Sequence, residues 1–522
     1  MSGVRGAAEV GSGLAPGREA RPIRPGERIH VVGAAGAGAS AAALQAAWAG
    51  ATVTGCDAGG PSPYTPALEA AGIAIAQGHS AAHVTSWRPE RLAVTKALTA
   101  VDRDNAELRA ARAANVPLEP WQQVVADAAF GRDLVGVAGT HGKSTSAGWL
   151  VHVLATAGLD PAAFVGALLP PELTGGLPST ARRGAGRAFV VEADEYAGNF
   201  DAYRPSLTLL TSVEWDHPDV FADLDAVVAT FVGWLERAAL TVPRPVLVAN
   251  VADPGVEMVV ERLRDWPGTI VAAALAGEGS GVAAPAGPGE PAGMTRTDEP
   301  PAHRPAWAGR IVESGPEGTL LEIRPEHGEP FRARLSLAGR HNAANALGVA
   351  AAASRLGVRS SDLAAALSSF RGVGRRLERK GEARGVVVYD DYGHHPTAIR
   401  ETLAAIRQLE PGRRIWAVYE PLTYHRTAAM LEQFAEVLAA ADAVAIADIW
   451  ASRDPDTSVT SAGVLAEAVA RRRAGIPVAA PGSVEATAAW LASEVRPGDA
   501  VLVMGGGRSY RIAELLVEAL AL

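Results

Sequence analysis

DLVGVAGTHGKSTSAGWLVHVLATAG, residues 133–158, runs from a β-branched segment through a glycine-rich turn into an Ala/Leu-rich helical stretch. The turn is Gly139-Thr140-His141-Gly142-Lys143-Ser144-Thr145. Glycines there let backbone N–H groups turn inward around anionic oxygens, and the helix N-terminus adds partial positive charge. In such a loop the lysine, Lys143, reaches the β- and γ-phosphates of a nucleotide, and Ser144 ligates Mg2+. The strict fingerprint asks for glycine five residues before Gly142, where this chain carries Val137. The GKS core and its strand–loop–helix setting are intact. The bland alternative is a glycine turn capping a helix, with Lys143 merely solvated.

On either side of this segment, short β-branched runs alternate with helical stretches. Strand candidates are 29–33, 51–55, 133–137, 188–191, 207–213, 245–249, 385–389, 414–419, 443–447 and 500–504. That alternation argues for α/β domains built on parallel sheets, and the continuous apolar runs argue for sheets covered on both faces. A length of 522 residues fits three domains. The boundaries fall near Gly131 and Gly339, giving residues 28–131, 132–338 and 339–522. Residues 1–27, rich in Gly, Ala, Arg and Pro, read as a disordered tail with no apolar signal core. Residues 277–308, rich in Gly, Pro and Ala, read as a flexible insertion in the middle domain.

The net charge is −9 with no long basic tract, which argues against nucleic acid or an anionic membrane as partner. No apolar run approaches the ~20 residues of a membrane-spanning helix. Cys56 is the single cysteine, so neither an internal disulfide nor a four-cysteine zinc site is available. These features fit a cytoplasmic protein.

Two later strands end in polar clusters, Glu192-Ala-Asp194-Glu195-Tyr196 and Glu214-Trp-Asp216-His217. Ligands of parallel α/β sheets bind at the carboxyl ends of strands, so both clusters should face the phosphate loop. Glu192 and His217 are candidate metal ligands beside Ser144, although imidazole is a less usual partner for Mg2+ than carboxylate. A lone surface acid or helix cap is the competing reading for each residue taken singly. Near the start of the chain, a strand feeds the turn Gly33-Ala-Ala-Gly36-Ala-Gly38, and the next strand ends at Asp57. Alone, this is a weak dinucleotide-type signature, and an NAD-dependent oxidoreductase is the alternative it raises.

Gly139–Ser146, Glu192–Tyr196 and Glu214–Asp219 resemble the central domain of the Mur ligases. Gly339–Leu347 (GRHNAANAL), Phe370–Glu378 (FRGVGRRLE), Tyr389–Thr397 (YDDYGHHPT) and Thr423–Thr427 (TYHRT) resemble later segments of the same family. The likeness runs from about Arg28 to the C-terminus, apart from the insertion. It implies three domains: a Rossmann-like UDP-sugar-binding domain, a central phosphate-loop ATPase-like parallel sheet, and a Rossmann-like amino-acid-binding domain. It also implies a monomer or weak homodimer with ATP and Mg2+ as cofactors.

The DDYGHHPT and TYHRT segments resemble members that add L-alanine to UDP-N-acetylmuramate through an acyl phosphate. EADEY and DHPDVF lean toward members that attach a murein tripeptide. By resemblance, Gly139–Thr145, Asn342, Asn345 and Arg376 contact ATP. Gly33, Gly36, Gly38, Asp57 and Asn105 contact the UDP-sugar. Tyr392, His394 and Arg426 contact the amino acid, and Lys143, Glu192, His217 and His394 serve catalysis. Departures at Ala35, where the family carries glycine, and at Thr423, near which it often carries a second arginine, leave open an inactive nucleotide-binding homologue.

Overall fold

The computed structural model describes residues 7–276, 305–451, 454 and 456–522. Among these the chain forms three sheets. The first comprises β1 (Arg28–Val32), β2 (Thr52–Asp57), β3 (Ala74–Gln77), β4 (Arg91–Val94) and β5 (Leu118–Pro120). Its order is β3-β2-β1-β4-β5, and every pairing is parallel.

The second sheet has ten strands. They are β6 (Asp133–Ala138), β7 (Ala162–Leu169), β8 (Ser179–Arg182), β9 (Ala188–Ala193), β10 (Leu207–Leu210), β11 (Val246–Asn250), β12 (Thr269–Leu275), β13 (Trp307–Gly315), β14 (Gly318–Arg324) and β15 (Phe331–Leu335). Their order is β15-β14-β13-β12-β11-β10-β6-β9-β7-β8. The third sheet holds β16 (Glu378–Ala383), β17 (Val386–Asp391), β18 (Arg414–Glu420), β19 (Ala443–Ala447), β20 (Val478–Gly482) and β21 (Asp499–Gly505), in the order β16-β17-β21-β18-β19-β20.

Strand β6 is buried along nearly its whole length because helices cover both faces of the sheet. One cover is helix Lys143–Thr156, whose Trp149 stacks on Phe370 with ring centroids 5.0 Å apart. The other is helix Leu224–Ala239, whose Trp234 stacks on Phe200. The central sheet is not wholly parallel, as the sequence suggested. β8 runs antiparallel to β7, and β13-β14-β15 form an antiparallel meander. β15 alternates buried and exposed residues because only one of its faces is packed.

Two further sequence-based expectations need correction. Helices Arg340–Arg355 and Ser360–Ser369 pack their apolar residues into the central core with Val135, Trp149 and Leu321. The third domain therefore begins near Arg375, not Gly339. Residues 11–27 are also not a disordered tail. Ile23 is buried, and Arg18 pairs with Glu119 at 2.9 Å and with Asp127 at 2.7 Å. A composition poor in apolar residues misses this because the segment is held by charge. Of the expected insertion 277–308, residues 277–304 lie outside the described residues, and Trp307 opens β13.

Arg91 lies behind that docking. Its side chain is 2% exposed and faces Glu27 at 3.1 Å, Glu119 at 2.8 Å and Asp127. Arg91→Met leaves three buried carboxylates without their shared cation. It should lower unfolding free energy by about 3–5 kcal/mol in urea titrations.

Candidate active site

The phosphate loop bends between β6 and helix Lys143–Thr156. Gly139 has φ 134° and Gly142 has φ 78°, values that L side chains rarely adopt. A Cβ at Gly139 would stand 2.3 Å from Thr211 Oγ1, and one at Gly142 would stand 2.6 Å from Asn345 Oδ1. Thr140 N–H donates to Ser212 O and His141 N–H to Ser212 Oγ, both at 2.9 Å, which ties the loop to the end of β10. Gly142 caps the helix without a side-chain acceptor. The first amides of the helix thus keep their hydrogen-bonding capacity for an anion.

Lys143 Nζ donates to Gly139 O at 2.6 Å and to Glu195 Oε2 at 3.1 Å, with Asp194 at 3.7 Å. Burial alone would lower its pKa, but Glu195, Asp194 and Glu192 raise it, so the ammonium stays charged. Burial in turn raises Glu195 despite the pull of Lys143.

Ser144 Oγ donates to Glu192 Oε1 at 3.0 Å, and Gly166 N–H donates to Glu192 Oε2 at 2.6 Å. Arg376 Nη2 donates to Ser144 Oγ at 2.9 Å. His217 takes a different position from the one expected. Its donor atom lies within 4.8 Å of those of Asp194 and Glu195, so it groups with them and not with Glu192. Its backbone has φ 56°, a sparsely populated conformation of the kind found at functional sites. Both carboxylate sets are hard oxygen donors next to a phosphate loop, and they fit a magnesium–nucleotide complex.

A cavity of about 800 Å³ joins the three domains. Gly33, Gly36 and Gly38 line it from the first domain. Thr140–Thr145, Glu192 and His217 line it from the second, with Asn342 and Asn345. Arg376, Tyr392 and His394 line it from the third. Asn342 is not the helix cap, a role taken by Gly339; its Nδ2 donates to Ala338 O at 2.7 Å.

Four expected contacts, Gly139, Asp57, Asn105 and Arg426, are absent from the lining, and Gly139 acts through the bend of the loop itself. Asp57 accepts from Ala35 N–H at 3.0 Å and supports the glycine turn from behind. Asn105 caps helix Ala106–Ala113 through Glu107 N–H at 3.0 Å. Arg426 is buried and donates to Asp216 Oδ1 at 2.7 Å, with His217 Nδ1 at 3.1 Å. Burial would raise Asp216, but Arg426 and His217 hold it well below the usual carboxylate range.

Sequence reading did not single out Glu214, His395, Thr397 or Lys96. Glu214 accepts from Thr397 Oγ1 at 2.8 Å and lies 2.8 Å from His141 Nε2, spanning the second and third domains. The EWDHPD cluster was its only signal. His394 Nδ1 lies 2.9 Å from Tyr392 O, so this nitrogen carries the proton and Nε2 keeps its lone pair. Burial, then Arg426, lowers His394 well below the ordinary histidine value.

Comparison with known proteins follows the same three-part division. The model of the Mur ligase family catalytic domain matches residues 28–132, that of the Mur ligase middle domain residues 137–353, and that of the Mur ligase glutamate ligase domain residues 375–507. The chain belongs to the Mur ligase family. It is 34% identical over 503 residues to UDP-N-acetylmuramate–L-alanine ligase of Mycobacterium avium, spanning 95% of each chain. It is 36% identical over 499 residues to the enzyme of the same name from Kineococcus radiotolerans, spanning 95% of this chain and 96% of that one. The fold matches MurC of Thermotoga maritima with TM-score 0.72 at 22% identity, over 94% and 98% of the two chains. It matches murein peptide ligase of Psychrobacter arcticus with TM-score 0.68 at 24% identity, over 95% and 99%. The N-terminus of the middle match falls in β6, and the third match begins where the packing starts the third domain.

In this Mur ligase, Lys96 lines the first-domain side of the cavity and donates to Ala197 O at 2.7 Å. Burial lowers its pKa to about 8. Lys96 is charged below that pH and neutral above it, so anion binding beside it weakens as pH rises. Affinity for UDP, measured by calorimetry, should fall roughly fivefold, about 1 kcal/mol, from about pH 7 to 9. Lys96→Met should remove that dependence.

Proposed function

We propose that this Mur ligase is an ATP- and Mg2+-dependent enzyme that joins L-alanine to the lactyl carboxylate of UDP-N-acetylmuramate. It would work in the cytoplasm, where peptidoglycan precursors are assembled. The observation that carries this reading is the cavity in which the phosphate loop, two carboxylate clusters and the Tyr392–His394 pair meet. The names of its 34–36% identical relatives supply the acceptor.

A carboxylate does not react directly with an amine, because its carbonyl carbon is electron-rich and oxide is a poor leaving group. The ligase reading resolves this by moving the γ-phosphoryl group of ATP onto the carboxylate. Alanine nitrogen attacks the resulting acyl phosphate, and phosphate leaves. Two anions at 4 Å repel by about 4 kcal/mol at an effective dielectric near 20. Lys143, with its raised pKa, and the loop amides offset that repulsion and hold the oxygens in line. Mg2+, held by Ser144 and Glu192 on one side of Lys143 and by Asp194, Glu195 and His217 on the other, would add further positive charge at the phosphates.

Asn342 and Asn345 face the nucleotide beside the loop, and Arg376 reaches the same oxygens through its position on Ser144. Gly33, Gly36 and Gly38 bring backbone close to the sugar diphosphate. Asp57 and Asn105 act from behind, on the turn and on a helix end. Tyr392 and His394 pack edge to face with centroids 5.3 Å apart, a tight frame that favours a small amino acid side chain over a tripeptide. The neutral His394 offers Nε2 to the substrate ammonium, a binding role that its lowered pKa favours over strong base catalysis. Arg426, buried outside the cavity lining, orders this wall through Asp216 and does not itself reach the amino acid.

Phosphate release should require UDP-N-acetylmuramate, an amino acid and Mg2+ together. In a panel of L-alanine, glycine, L-serine and the murein tripeptide, L-alanine should give the highest kcat/KM. Release that is indifferent to acceptor would defeat the proposal, and preference for the tripeptide would move it to the recycling branch. Lys143→Ala should lower kcat by roughly 10²–10³-fold while leaving UDP-N-acetylmuramate binding nearly intact.

A further inference from the structure

The first domain carries a second cluster of chemistry that the ligase reaction does not use. Side chains alternate across β1, so Ile29 and Val31 join the core under helix Ala37–Trp48 while His30 and Val32 face the opposite side. On that opposite side His30 meets Cys56 of β2, His83 of helix Ala81–Trp87 and Glu107 of helix Ala106–Ala113. One donor atom from each of these four residues lies within 4.8 Å of the other three.

We propose that His30 Nε2, Cys56 Sγ, His83 Nδ1 and Glu107 bind a tetrahedral transition-metal dication, zinc by the character of the donors. Glu107 Oε1 lies 2.7 Å from His30 Nε2 and 3.2 Å from His83 Nδ1, and Glu107 Oε2 lies 3.2 Å from Cys56 Sγ. Donors of a tetrahedral zinc site stand about 3.3–3.6 Å apart, so a small expansion of the closest pair accommodates the ion. His30 Nε2, His83 Nδ1 and Glu107 Oε1 are buried, yet none has a hydrogen-bond partner. These atoms approach closely without the alignment of a hydrogen bond, the arrangement of lone pairs that converge on one point.

The surrounding residues hold these ligands in place, as the groups that hydrogen-bond to metal-bound side chains do in metal proteins. Thr54 Oγ1 lies 2.8 Å from His30 Nδ1, where it can accept a proton carried on that nitrogen when Nε2 binds the ion. His83 stacks on Trp87 with an interplanar angle of 12°. His79 Nδ1 lies 3.2 Å from Cys56 Sγ and is placed to donate to a thiolate. His79 and His83, 13% and 11% exposed, open a path to solvent, whereas the Glu107 and His30 side chains are fully buried.

Charge supports the same conclusion. When the ion binds, the Cys56 thiol gives its proton to solvent. One thiolate and one carboxylate then neutralise a dication, and the buried site carries no net charge. Thiolate and imidazole donors select zinc or cobalt over magnesium, which separates this site from the oxygen donors of the cavity. The ion would clip two strands to two helices behind the sheet that presents the Gly33–Gly38 turn.

Cobalt(II) titration of the chelator-treated full-length protein tests this. A thiolate-to-cobalt charge-transfer band can arise only from Cys56, the single cysteine of the chain. We expect that band to saturate at one equivalent, zinc to displace the cobalt, and zinc to raise the Tm of the metal-free protein. Cys56→Ser should lose the band and the zinc-dependent Tm rise. His83→Asn should weaken cobalt binding at least tenfold. Wild-type protein with no charge-transfer band would overturn the proposal. An unchanged cobalt affinity in His83→Asn would overturn it too. Ligase activity is assayed separately, so failure here leaves the reading of the cavity untouched.

Discussion

A buried ammonium is the constraint on which the site is organised. Lys143 cannot be taken out of water unless negative groups surround it. The central sheet supplies them because β6, which carries the phosphate loop, lies between β10 and β9. The chain leaves β6 for β7 on one side and returns to β10 on the other, so the crevice opens at the carboxyl end of β6. Glu192 stands near the end of β9 with Asp194 and Glu195 just beyond it, and Glu214 and Asp216 follow β10. Strand order alone thus brings both acidic clusters to the loop, and the loop glycines give the backbone room to fit between them.

Charge also ties the domains together around this centre. Glu214 on the central domain is shared by His141 and by Thr397 of the third domain. Burial would raise its pKa, but His141 and His395 lower it to about 2, so the linking carboxylate is ionised throughout the physiological range. Asp216 performs the same service for Arg426. On the other side, the first domain docks through helix Ala37–Trp48, where Gln45 Nε2 donates to Ala163 O at 2.8 Å on β7. The small side chains of that helix allow close packing, while one amide bonds a strand carbonyl.

Much of this was legible in the residues. All ten segments expected as strands contain strands, because buried parallel strands leave unbroken apolar runs. The expectation did not include β7, although AAFVGALL is an unbroken apolar run, or the buried but short β4; several of the other strands outside it carry no such mark. β3 and β5 are short edge strands, β12 is alanine-rich, and β14–β16 alternate with polar residues on an uncovered face. The phosphate loop and both acidic clusters could be read locally because each is one contiguous motif. His217 beside Asp194, Arg426 against Asp216, and Glu214 against Thr397 could not, since they depend on how separate strands and domains meet. The resemblance implies a UDP-sugar contact for Asn105, whose side chain caps helix Ala106–Ala113 from the residue before it.

The placement of helices Arg340–Arg355 and Ser360–Ser369 in the central core has one more consequence. The connection to the third domain then runs through Arg371–Gly374, immediately before Arg375 and Arg376. Tyr392 stands beside that segment too: its N–H donates to Arg375 O at 2.8 Å, and the Arg376 guanidinium lies 5.1 Å from the centre of its ring. A swing of the third domain about that segment would carry the guanidinium and the Tyr392–His394 pair together, since they pack on one another. Grip on the nucleotide and access for the incoming amine would thus be mechanically geared to each other through one short stretch of backbone.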